Sequence, residues 1–138
     1  MEAFDSQQTL FISSCLLGHR CRWHGKTSSS VKALSLIGGA SFIHACPEML
    51  GGLPCPRPPV KRRNGRVYET CADKASRPYV TGADRTEEFM LGAQRTLELC
   101  QRHHVTRAIL CRYSPSCDRY GFTGKLLAEH GIEVINVF

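Results

Sequence analysis

Three cysteines occupy equivalent places in the chain. Cys15 ends the run Leu10-Phe11-Ile12-Ser13-Ser14, and Cys46 ends Ser41-Phe42-Ile43-His44-Ala45. Cys117 closes the polar turn Ser114-Pro115-Ser116-Cys117, which breaks off Ala108-Ile109-Leu110-Cys111 just where a buried strand would end. If the three runs are parallel neighbours in one sheet, their carboxyl ends share an edge, which is where open α/β folds place their ligands. Three thiols would then converge on one spot. Thiolates brought that close cannot all stay charged and unpaired, so they bind a metal centre, become protonated or form a disulfide.

The other five of the eight cysteines read differently. Cys100 falls on a helical face and Cys111 within a strand, as buried small hydrophobes do. Cys21 either joins the first loop's chemistry or packs beneath it, and Cys55 and Cys71 read as bystanders. No Cys-x-x-Cys pair occurs, which argues against a zinc ribbon or a thioredoxin-like redox site. A second reading, a thiol-based phosphatase or sulfurtransferase, draws on the same strand-to-helix loops, whose dipoles stabilise a thiolate. A phosphate-cradling loop needs arginine six residues after its cysteine, and Cys15 has Cys21 there while Cys117 has Thr123.

The elements that must position these thiols are those of an α/β chain. Thr9 to Ser14 reads as a first strand, and one of Thr27 to Ser30 caps a helix with Val31, Leu34 and Ile37 on one face, ended by Gly38-Gly39. Ser41 to Ala45 is a second strand, leading to Cys46-Pro47-Glu48. Gly51 to Pro59 is too proline-rich for helix or central strand, and Asn64-Gly65 marks a hairpin. From Thr70 to Tyr79 there is no periodic signal. Phe89, Ala93, Leu97, Cys100 and His104 line one face of the longest helix, which starts at Asp84 or Thr86. Arg107 to Arg112 is a third main strand, Thr123 caps a short helix through Leu127, and Ile132 to Phe138 is the last strand. This order predicts a single domain over residues 1–138, with a mainly parallel, Rossmann-like sheet flanked by helices and a small β-hairpin excursion.

At 138 residues, with 42% hydrophobic and 22% charged residues, the chain is long enough for a core of its own. No apolar stretch approaches the roughly 20 residues that cross a bilayer, so no membrane role is expected. The polar, acidic start lacks a secretory signal, making the cytoplasm the default. A formal charge of +6 favours anionic partners. Its carriers cluster as His19, Arg20, Arg22, His24 and Lys26, and as Arg57, Lys61, Arg62, Arg63 and Arg66. An RNA-binding module is a third reading, but few aromatics beyond Trp23 and Tyr68 are placed to stack bases, so nucleic acid is not the expected partner.

Four motifs in order resemble the thiouracil desulfidase family over nearly the whole chain. They are Ser14-Cys15-Leu16-Leu17-Gly18 with Cys21-Arg22; Cys46-Pro47-Glu48-Met49-Leu50-Gly51-Gly52-Leu53-Pro54 with Pro56-Arg57-Pro58-Pro59; Gly82-Ala83-Asp84-Arg85-Thr86-Glu87-Glu88-Phe89-Met90-Leu91-Gly92-Ala93; and Ser114-Pro115-Ser116-Cys117. Lys61, Arg85 and Asp118 depart from the family's usual residues. The resemblance implies a [4Fe-4S] cluster held by Cys15, Cys46 and Cys117, one iron without a protein ligand, and removal of sulfur from a thiolated pyrimidine to give the oxo-pyrimidine and hydrogen sulfide.

The residues are compatible with that chemistry. Iron–sulfur clusters take thiolate ligands, and an open position parallels that of catalytic zinc sites. A soft iron site would select the soft sulfur of a thiocarbonyl. Glu48, two residues past Cys46, is placed to move a proton as water attacks the activated carbon. Ser114 or Ser116 would orient that water or hold the pyrimidine edge, and Arg22 or Arg57 would hold a phosphate if the substrate is a nucleotide.

Overall fold

A computed structural model describes residues 8–19, 29–55, 60–70, 80–112 and 114–137. Four strands, β1 (Thr9–Ser13), β2 (Ser41–Ala45), β6 (Arg107–Cys111) and β7 (Glu133–Val137), form one sheet in the order β2-β1-β6-β7, parallel throughout. The short apolar runs of β1 and β6 predict strands covered on both faces, and four of the five residues in each are buried. Register sets Ser13 beside Ala45, Ile12 beside Ile109 and Cys111 beside Val137. From β1 the chain goes to one side for β2 and later to the other for β6 and β7. The order therefore reverses between β1 and β6, where doubly wound sheets open their ligand crevice.

A second sheet is antiparallel, with β3 (Val60–Arg63), β4 (Arg66–Thr70) and β5 (Val80–Asp84) in sequence. Its tight turn is the expected Asn64-Gly65, both at positive φ (52° and 78°), as a two-residue hairpin whose twist matches its strands requires. The excursion is larger than a hairpin, because β5 pairs with β4 through a register shift between Tyr68 and Thr70. Val80-Thr81-Gly82-Ala83-Asp84 opens on two β-branched residues but continues through Gly, Ala and Asp, which strands disfavour, and lacks clean alternation, so its pairing comes from tertiary context.

Among the described residues four α-helices complete the fold: α1 (Val31–Ile37), α2 (Pro47–Leu50), α3 (Thr86–Arg102) and α4 (Phe122–Glu129). Ser30 caps α1, its Oγ accepting the Ala33 N–H at 3.1 Å. The buried face of α1 differs in part from the expected one: Ile37 is buried as expected, but Ala33 and Leu36 are buried with it, while Val31 is 85% and Leu34 49% exposed. Both sets have helical spacing. The one containing the small Ala33 lets the helix lie closer to its neighbours. On α3 the residues Phe89, Ala93, Leu97 and Cys100 are buried as expected, but the helix stops at Arg102 and His104 is exposed at φ 55°. Thr123 is not a cap. Gly121 is the N-cap of α4, and Thr123 lies inside the helix, fully buried, with its hydroxyl bonded to Ser116.

The main core packs Leu10, Phe11, Ile12, Leu97, Ile109, Leu110 and Leu127. A smaller core of Leu53, Val67 and Phe89, with Val60 and Phe122 against it, ties the antiparallel sheet to α3 and α4. Phe89 and Phe122 meet edge to face at 5.8 Å, a favoured aromatic geometry. Among the described residues no helix is long and apolar enough to cross a membrane.

Candidate metal centre

The three singled-out cysteines all lie just beyond the carboxyl ends of the parallel strands. Cys15 sits in a 3₁₀ turn over Ser14–Leu17 that continues β1. Cys46 is the N-cap of α2 immediately after β2, and Cys117 lies in the turn between β6 and α4. Cys15 and Cys117 are 8% and 5% exposed, and Cys46 is half-buried. Since β1 is hydrogen-bonded to β2 and β6, the three thiols come from three adjacent strands at one edge of the sheet, two of them flanking the point where the order reverses.

Side chains tie these turns together. Ser13, the last residue of β1, donates its hydroxyl to Cys117 Sγ at 3.3 Å. Ser14 Oγ and His44 Nδ1 are hydrogen-bonded at 2.9 Å, joining the residue before Cys15 to the end of β2, and His19 stacks on His44 at 4.8 Å. The Cys117 thiol is pushed up to about 12 by burial, with the Glu48 carboxylate and Cys111 acting in the same direction and the hydroxyls of Ser13 and Ser114 opposing them. Glu48, on the first turn of α2, thus lies within electrostatic reach of Cys117. Without a bound cation Cys117 is a neutral thiol at neutral pH, and ligating a metal would release its proton.

The turn that carries Cys117 is built to hold one shape. Ser114 Oγ accepts the N–H groups of Ser116 (3.2 Å) and Cys117 (3.1 Å), the local side-chain-to-backbone pattern of a serine turn. Ser116 is 1% exposed and its hydroxyl is bonded to Thr123 Oγ1 at 2.9 Å, so that group serves the turn. The start of α4 packs directly on the turn: a Cβ on Gly124 would lie 2.8 Å from the Asp118 carbonyl carbon and 3.0 Å from the Cys117 oxygen.

Among the described residues no three His, Cys, Asp or Glu side chains are close enough to hold a single metal ion. Three thiols presented from three separate turns instead suit a multi-iron cluster, in which each cysteine binds a different iron. The donor set, all thiolate and mostly shielded from water, has the softness such a cluster takes.

An open groove runs beside this turn and shares Ser114, Pro115 and Asp118 with it. Five cations, Lys61, Arg62, Arg112, Arg119 and Lys125, face three carboxylates, Asp118, Glu129 and Glu133, leaving it net positive. Arg62 donates to the Tyr120 carbonyl at 2.7 Å. Arg85 adds no free charge near the site, because Glu69 at 2.8 Å and Glu88 at 3.4 Å both pair with it. Arg22 and Arg57, as well as Cys21 and Cys71, lie outside the described residues. Ser13, His44 and Asn136 were not legible as site residues, since each acts through a contact distant in sequence and matches no local motif.

A profile of the 2-thiouracil desulfurase family matches residues 10–137. An uncharacterised protein of Bacillus subtilis strain 168, YbbK, is 34% identical over 128 residues, spanning 89% of this chain and 85% of the relative. Among solved structures, the [4Fe-4S]-dependent thiouracil desulfidase TudS superposes with a TM-score of 0.74 at 34% identity, over 94% of this chain and 90% of that one.

Proposed function

Because the chain belongs to the 2-thiouracil desulfurase family, we propose that it is a [4Fe-4S]-dependent desulfidase of thiolated pyrimidines, with Cys15, Cys46 and Cys117 as the cluster's ligands and one iron left to the substrate. The observation that carries this reading is the placement of the three thiols at the carboxyl ends of adjacent parallel strands. When bound, the cluster supplies a Lewis-acidic, sulfur-seeking position that weakens the carbon–sulfur bond. Overall, water oxygen replaces the thiocarbonyl sulfur, which leaves as hydrogen sulfide.

The protein's own residues position and protonate. Glu48, held on α2 directly after Cys46, takes a proton from the attacking water and returns it to the departing sulfur. Ser114 holds the Cys117 turn through two backbone N–H groups and borders the groove, where its hydroxyl meets substrate. Burial of Cys15 and Cys117 keeps bulk water from the metal side of the site. The setting is the reducing cytoplasm, and the whole of residues 1–138 acts as one domain.

The preferred substrate is a thiolated nucleotide such as a uridine monophosphate. Support comes from the positive groove beside the Cys117 turn and from the basic stretches of sequence that contain Arg22 and Arg57. A neutral base gains little from this charge, whereas a phosphate gains charge-assisted hydrogen bonds of about 1.5–3 kcal/mol each. Glu48→Gln tests the reaction: iron content should stay at the wild-type level while turnover is lost, and normal turnover would remove Glu48 from its role. Comparing kcat/KM for thiolated base, nucleoside and monophosphate across ionic strength tests the substrate. A monophosphate preference that fades with salt is expected, and equal efficiency would reduce the groove to solvated surface.

A further inference from the structure

Asn136, the only amide side chain of the last strand, β7, shares a face with Val134. Its carboxamide turns toward the Cys117 loop. Nδ2 donates to the Cys117 carbonyl at 2.9 Å and, more weakly, to the Leu110 carbonyl at 3.5 Å. Oδ1 accepts the Arg119 backbone N–H at 2.9 Å. One side chain thus holds the peptide groups on both sides of the turn's apex, as a neighbouring strand would, past the point where β6 and β7 stop pairing at Cys111 and Val137.

The loop's other fastenings take different atoms, with the Cys117 sulfur itself bonded to the Ser13 hydroxyl. Ser114 holds the Cys117 and Ser116 N–H groups, and Thr123 the Ser116 hydroxyl. The Thr123 and Gly124 N–H groups hold the Ser116 carbonyl. We infer that Asn136 is a positioning residue for the Cys117 ligand, fixing the peptide that aims its thiolate through the hydrogen bond to the Cys117 carbonyl. The inference rests on the reading of Cys117 as a ligand. Partners of this kind behind metal ligands are worth 10–100-fold in metal affinity or activity.

Two variants separate the contacts. Asn136→Asp keeps the size and the acceptor for Arg119 but loses the donor to Cys117, while Asn136→Leu keeps the shape without charge and loses both. Each is reconstituted anaerobically and challenged with a strong iron chelator, and the iron-free forms are melted in parallel. Both variants should lose iron at least about tenfold faster than wild type, with an altered electron paramagnetic resonance spectrum of the reduced cluster and iron-free melting temperatures close to wild type. Wild-type iron retention in either variant overturns the inference, as does faster loss that merely follows a fall in the iron-free melting temperature. Cys117→Ser serves as the control. If it loses the cluster while the Asn136 variants keep theirs, the inference alone fails, and if it retains a cluster of wild-type stability, the ligand reading itself fails.

Discussion

Gly92→Ala should weaken this protein even though it improves a helix. Gly92 lies inside α3, where α2 packs against it, and a Cβ there would overlap the Pro47 carbonyl oxygen and lie 3.0 Å from its carbon and 3.2 Å from the Gly51 nitrogen. Carbon contacts are best at about 3.5–4.0 Å, and the obstacle is backbone that cannot swing aside, so α2 would have to retreat by on the order of 1 Å. Helix propensity favours alanine by up to about 1 kcal/mol, whereas overpacking costs about 1–3 kcal/mol. With backbone on both sides the upper end applies, for a net loss near 2 kcal/mol and a fall in melting temperature of roughly 5–10 °C. Because α2 begins right after Cys46 and carries Glu48, the displacement reaches the site, and a 1 Å misplacement costs on the order of 100-fold in rate. Thermal melts of the iron-free and reconstituted variant, with kcat/KM on a thiolated pyrimidine, measure both effects. A variant as stable as wild type with wild-type turnover would refute the account of how α3 seats α2.

Two further outcomes follow from other parts of the structure. Iodoacetamide on the native iron-free protein at pH 8 should label half-buried Cys55 well before Cys100, which burial pushes up to about 12; peptide mass spectrometry reads the order, and early loss of Cys100 would contradict its burial. Asp84 is held down to about 2 by the hydroxyl and N–H of Thr86 and then by Arg66, so its contribution is fully present above about pH 4 and is lost as pH falls through about 2. Asp84→Asn should therefore melt lower than wild type at pH 6 and converge with it only below pH 2, and parallel melting curves would show that the carboxylate does not stabilise the start of α3.

How far the sequence could be read depended on the range of the interactions involved. The apolar runs of β1 and β6, the Asn64-Gly65 turn and the apolar face of α3 are local patterns, and the structure follows them. Placing Cys15, Cys46 and Cys117 at one edge needed only the assumption of parallel neighbours, which the pairing bears out. The buried face of α1 could not be chosen from spacing, because Val31-Leu34-Ile37 and Ala33-Leu36-Ile37 both have helical spacing and the contact with the rest of the fold selects between them. Thr123 has the chemistry of a cap, yet its hydroxyl is taken by Ser116, seven residues back. The strand β5 and the Asn136 clamp arise from contacts between distant segments, where alternation and local motifs carry no information.

Iron and sulfide analysis joined to turnover tests most directly whether a cluster held by Cys15, Cys46 and Cys117 removes sulfur. Anaerobically reconstituted protein should hold iron and acid-labile sulfide in the ratio of one [4Fe-4S] cluster per chain and convert a thiolated uracil to uracil with release of sulfide. Replacing Cys15, Cys46 or Cys117 by serine should abolish both properties, and replacing Cys55 or Cys100 should leave both in place. Desulfurisation by iron-free protein, or an intact cluster in any one of the three serine variants, would contradict the account.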